Sequence, residues 1–92
     1  MGYIVDISPK AERHIESYEK AGNKLAIKKI DRILEELAIH PETGIGKPER
    51  LKHGHSGYWS REIDKKNRMR YKIDENIITV FVVSALGHYD DK

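Results

Sequence analysis

The sequence predicts an α+β domain of order β-α-α-β-β-β-β, two N-terminal helices packed on one face of a twisted, mainly antiparallel sheet. Three observations carry this expectation. One apolar stripe recurs at helical spacing through residues 24–37, four strand-like runs follow it, and only short turns separate those runs. Short connections between consecutive strands favour antiparallel hairpins. Helices that come early in the chain then have one sheet face to cover.

Each element follows from its residues. Tyr3-Ile4-Val5-Asp6-Ile7 is rich in β-branched and aromatic residues and predicts a first strand. Ser8-Pro9 supplies a hydroxyl at the N-cap and a proline at the first helical position. Ala11, Ile15 and Tyr18 give that helix one buried stripe, and Ala21-Gly22-Asn23 stops it, with Asn23 placed to cap the next. The second helix sets Ile27, Ile30, Ile33, Leu34 and Leu37 on one face, against Lys24, Lys28, Asp31, Arg32 and Glu35 on the other. His40-Pro41 ends it, because the residue before proline avoids helical angles. Residues 41–48 hold two glycines and two prolines and predict a loop. Strands are expected near 49–53, 58–63, 68–73 and 77–85, with turns at Gly54-His55-Ser56-Gly57, Lys65-Lys66-Asn67 and Asp74-Glu75-Asn76.

The chain has 92 residues, which is one domain spanning 1–92. It has no cysteine, so no disulfide supports a small core. No run approaches the roughly 20 apolar residues of a membrane span, and Asp6 interrupts the start where a signal peptide would build its apolar segment. A cytoplasmic protein with no membrane partner is expected. The net charge is only +2, but the cations are not spread evenly. Residues 47–72 contain nine Lys or Arg against Glu49, Glu62 and Asp64, an excess of six. In 68–73, alternation puts Met69, Tyr71 and Ile73 on one face and Arg68, Arg70 and Lys72 on the other. Three cations in a row repel unless something anionic lies against them, and a phosphate backbone is the obvious candidate.

The run Gly46-Lys47-Pro48-Glu49-Arg50-Leu51-Lys52-His53, followed by Ser56-Gly57-Tyr58-Trp59-Ser60-Arg61, resembles the signature of YoeB/Txe toxins within the RelE/ParE superfamily. The likeness continues through Asn67-Arg68-Met69-Arg70-Tyr71 and Gly87-His88-Tyr89, and so covers about residues 3–89 in order. The resemblance implies the toxin of a type II toxin–antitoxin system, an endoribonuclease that cuts messenger RNA on the ribosome. It also implies a homodimer and a neighbouring antitoxin that holds the toxin inactive. Carried over by position, Glu49 matches the general base, His88 the general acid, and Arg68 the arginine that stabilises the transition-state phosphate. Lys52 and Arg61 fall on basic positions that hold substrate or charge, and Tyr89 on a tyrosine that helps shape the site. This chain departs from better-known relatives at Glu62, where they carry a second arginine, and at Arg70, where they are apolar. Arg70 shares a strand face with Arg68 and so can restore the charge lost at Glu62. Asp90-Asp91-Lys92 extends past the His-Tyr pair that closes some relatives.

Glutamate, histidine and arginine suit RNA cleavage without metal or other cofactor. The neighbouring 2′-hydroxyl attacks phosphorus, a base takes its proton, an acid protonates the departing 5′-oxygen, and a cation meets the added charge. His53 and His55 alone, with no Cys or supporting acidic cluster, do not make a metal site. Two alternatives belong to other classes: a non-enzymatic gyrase poison of the ParE kind, and an RNA-binding module without turnover.

Overall fold

The computed structural model describes residues 2–52 and 57–87. Strand β1 (Ile4–Ile7) leads into helices α1 (Pro9–Lys20) and α2 (Lys24–Leu37), and then come β2 (Glu49–Arg50), β3 (Tyr58–Glu62), β4 (Arg68–Asp74) and β5 (Thr79–Ser84). The sheet order is β1-β5-β4-β3-β2. All neighbours are antiparallel except β1, which lies parallel to β5 at one edge. The α+β architecture and element order thus agree with the sequence expectation.

Both helix starts are capped as their sequences require. The Ser8 hydroxyl accepts from the Ala11 N–H at 3.0 Å, and the Asn23 side chain from the Ala26 N–H at 3.1 Å. Each bond satisfies one of the donors that a helix start leaves without a partner. The stripe of α2 is the core: Ile30, Ile33 and Leu37 are wholly buried, with Ile27 and Leu34 packed beside them. Met69 and Tyr71 of β4 and Val80 and Val82 of β5 meet it from the sheet. Arg68, Arg70 and Lys72 consequently point to the face without helices. Among the described residues no helix is long and apolar enough to cross a membrane.

Two expectations need correction. Ile77 and Ile78 are not strand residues; β5 begins at Thr79, which pairs with Asp74. The Asp74 carboxylate accepts from the Asn76 N–H at 3.0 Å, and Ile78 takes a φ of 49°. Turn geometry therefore overrides the β-preference of the two isoleucines. Strand β2 is also shorter than 49–53, with only Glu49 and Arg50 in the ladder, although the Leu51 N–H still reaches the Tyr58 carbonyl at 2.8 Å. The expected turn at 54–56 lies outside the described residues.

A buried arginine organises the loop that delivers β2. Arg61 is fully buried on the helix-facing side of β3. Its Nε donates to the Tyr71 hydroxyl, Nη1 to Glu36 Oε1 at 2.6 Å and to the Ile45 carbonyl, and Nη2 to the carbonyls of His40 and Thr43. Five donors meet five acceptors, which is the full capacity of a guanidinium. Glu36 also accepts from the Ile45 N–H at 2.9 Å. Gly44 sits inside this network with φ 126°, and a Cβ there would lie 1.9 Å from Glu36 Oε1. Gly44→Ala is therefore expected to displace Glu36 from Arg61 and to destabilise the protein by more than the roughly 1–3 kcal/mol of backbone strain alone. Urea denaturation checks this, and wild-type stability would contradict the proposed crowding.

Candidate active site

The open sheet face gathers residues that are far apart in sequence. Directly opposed strand residues share a face, so Glu49 across from Ser60, and Ser60 across from Arg70, form one row. Arg68 stands opposite Glu62. Arg68 donates from Nη2 to Glu49 Oε1 at 3.3 Å and from Nε to the buried Ser60 hydroxyl at 3.2 Å. Its side chain is 19% exposed, whereas that of Glu49 is 62% exposed. The guanidinium is thus held at its root by Ser60, and the carboxylate projects into solvent.

The row of cations is eased from within the protein. Arg70 lies 5.1 Å from the Tyr58 ring centroid and the Lys72 ammonium 5.9 Å from the same ring. The electron-rich aromatic face attracts both cations, while Glu49 lies beside Arg68. The expected repulsion is therefore partly compensated before any phosphate arrives. On the other side of β3, Arg50 lies 5.7 Å from the Trp59 ring, and Trp59 packs against the core.

The β3–β4 turn is held rigidly. Asp64 Oδ1 accepts from the backbone N–H groups of Lys66 and Asn67, both at 2.8 Å, and from the Asn67 side-chain amide at 3.1 Å. Burial alone would raise the Asp64 pKa, but these bonds and the Lys66 charge hold it below the ordinary value. Asn67 then connects the turn to the end of the chain, because its Oδ1 accepts from the Gly87 N–H at 3.0 Å. The Arg68 N–H donates to the Gly87 carbonyl at 2.9 Å. Gly87, which immediately precedes His88 in sequence, is thereby bonded to the backbone of Arg68.

Of the expected site residues, Glu49, Arg68 and Arg70 come together on this face. Lys52 is exposed just beyond β2. Arg61, expected to hold substrate or charge, does not join them: it faces the helices, is fully buried, and spends its donors on Tyr71, Glu36 and loop carbonyls. His88 and Tyr89 lie outside the described residues. The sequence reading missed Ser60 and Asn67. Alternation along β3 offered a signal for Ser60, since it places that hydroxyl on the face opposite Trp59 and Arg61. Asn67 offered none beyond its place in a turn. Chemically, the face pairs an accessible carboxylate with an anchored guanidinium beneath a cationic strand, which suits a phosphodiester.

Comparison with known proteins follows this geometry. A family model described as the YoeB-like toxin of bacterial type II toxin-antitoxin systems matches residues 9–89. A Streptomyces coelicolor protein named Toxin YoeB is 44% identical over 63 residues, 67% of this chain and 71% of that protein. The structure of a YoeB/ParE toxin from Agrobacterium tumefaciens superposes with a TM-score of 0.85 at 26% identity, covering 94% of this chain and 99% of that one. A Staphylococcus aureus relative has been solved as a YoeB dimer, with TM-score 0.80, 31% identity, and coverage of 95% of this chain and 98% of that one. A heterotetrameric YoeB-YefM toxin-antitoxin complex from Staphylococcus aureus has also been solved, with TM-score 0.78, 32% identity, and the same coverage of 95% and 98%. With a carboxylate and an arginine paired on one sheet face, Gly87 bonded to the backbone of that arginine, and a family match over most of its length, this chain belongs to the YoeB-like toxins of bacterial type II toxin-antitoxin systems.

Proposed function

We propose that the protein is a ribosome-dependent endoribonuclease that cuts messenger RNA by acid–base chemistry in the cytoplasm. The observation that carries this reading is the Arg68–Glu49 contact on the open face, with Gly87 bonded to the backbone of Arg68. Glu49 takes the proton from the 2′-hydroxyl as it attacks phosphorus. Arg68 holds the phosphoryl oxygens with its planar fork as charge builds there. His88 protonates the departing 5′-oxygen, and Tyr89 shapes its surroundings. Arg70 and Lys52 hold the RNA backbone, a sequence-independent interaction that weakens as salt rises.

Acid and base groups contribute about 10²–10⁴-fold each, which leaves much of a large acceleration to the placement of the RNA. The ribosome supplies that placement by presenting the message in line, and free RNA is therefore expected to be cut more slowly. The cognate antitoxin, a YefM-like protein as in the Staphylococcus aureus complex, covers the cationic face and blocks the message. The toxin itself pairs with a second copy, as in the Staphylococcus aureus dimer.

Adding purified protein to a translating extract with a defined message tests this. Ribosome-dependent message cleavage is the expected result. An intact message together with a DNA-damage response in cells would favour gyrase poisoning, and salt-dependent binding without cleavage would favour a binding module.

A further inference from the structure

Ala85 and Gly87 are held by side chains and backbone from other elements. Each has both backbone polar groups engaged by another part of the fold. The Ala85 N–H donates to His14 Nδ1 at 3.1 Å, and its carbonyl accepts from the Tyr18 hydroxyl at 2.7 Å. The Gly87 N–H and carbonyl are taken by Asn67 Oδ1 and the Arg68 N–H. His14 and Tyr18 are four residues apart on α1 and so share one helix face. The segment is therefore bonded from the helical layer on one side and from the β3–β4 turn on the other.

Tyr18 belongs to the core, but both α1 residues also serve Ala85 with polar atoms. Ala85 is fully buried, and buried backbone groups need partners, but water, a serine or a main-chain atom supplies these in most proteins. Here two side chains with defined donor and acceptor roles are used. An Nδ1 acceptor requires a neutral ring with its proton on Nε2. Burial, and then the charges of Lys10 and Arg13, hold His14 below its ordinary pKa and favour that state. Burial, and then Asp64, push the Tyr18 hydroxyl up to about 12, so that it remains a donor.

We propose that His14 and Tyr18 are positioning residues: from the helical side they hold Ala85 by both backbone groups and so fix the approach of the chain to the general acid at His88. The catalytic half of this proposal rests on the nuclease reading above; the clamp itself does not. A misplacement of about 1 Å at a reacting group costs up to about a hundredfold in rate. The four bonds on Ala85 and Gly87 offset the entropy of ordering this segment before substrate arrives.

The test uses the full chain with His14→Leu, His14→Asn and Tyr18→Phe. Amide hydrogen exchange at Ala85 and Gly87 reads the clamp, and single-turnover cleavage on programmed ribosomes reads catalysis. His14→Leu should speed exchange and slow cleavage, by up to about a hundredfold, without changing affinity for the programmed ribosome. His14→Asn offers an amide oxygen near the position of Nδ1 and should restore most of both. Tyr18→Phe removes one oxygen atom, keeps the packing, and should slow cleavage on its own. Wild-type rates in His14→Leu and Tyr18→Phe overturn the proposal, whether or not exchange has risen. Slow cleavage in His14→Leu accompanied by weaker ribosome affinity overturns it as well. If the wild-type protein cuts nothing, the nuclease reading fails instead. The exchange data then judge the clamp alone, and unchanged protection in the variants overturns it.

Discussion

Replacing Glu49 or His88 with alanine is expected to slow ribosome-dependent cleavage by about 10²–10⁴-fold each. Glu49 is 62% exposed and bonded at its tip to Arg68, so its removal takes away the proposed base without opening the core. His88 lies one residue beyond Gly87, whose backbone is bonded at both polar groups. The double variant should lose little more than the worse single one, because groups that act in one transition state are not additive. Single-turnover kinetics on a defined message read all three. Full activity in a folded double variant would rule out acid–base catalysis by this pair.

Arg61→Met should have the largest effect on stability. It leaves Glu36, with its side chain only 16% exposed, facing carbonyls that have lost their donor. Breaking a buried ion pair on one side costs about 3–5 kcal/mol, which is a large fraction of what a small domain possesses. The damage should also reach activity, because the loop that Arg61 holds runs directly into Glu49. Acid should imitate the substitution. Burial alone would raise the Glu36 pKa, but the Ile45 N–H and Arg61 hold it below its ordinary 4.5. A depressed carboxylate contributes stability that is fully present above 4.5 and is lost as pH falls through the lower folded-state value. Wild-type stability should therefore decline in that acid range. In Arg61→Met the fall attributable to Glu36 should largely disappear, which urea melts at several pH values can check.

The contrast between Arg61 and Arg68 shows which parts of this protein its sequence makes legible. Periodicity resolves faces well. The α2 stripe is core, and Met69 and Tyr71 turn inward while Arg68 and Arg70 turn outward. The same alternation puts Arg61 on the inward face with Trp59, but charge suggests surface. The carbonyls that make its burial tolerable come from His40, Thr43 and Ile45, in a loop whose path no pattern predicts. Ile77 and Ile78 misled in the opposite way, since strand-forming side chains sit in a turn fixed by Asp74. The candidate site was proposed from an ordered motif rather than from physics: nothing in the spacing of Glu49 and Arg68 says that β2 and β4 place them 3.3 Å apart across β3.

The 2′-hydroxyl offers the most direct test of the central claim. A message with a single 2′-deoxy sugar at the scissile position should bind the ribosome and the toxin normally and remain uncut in a single-turnover assay, while its all-ribose counterpart is cleaved. Cleavage of the deoxy message at the same rate would mean that water, not the neighbouring hydroxyl, attacks phosphorus, and would contradict the roles given to Glu49, Arg68 and His88.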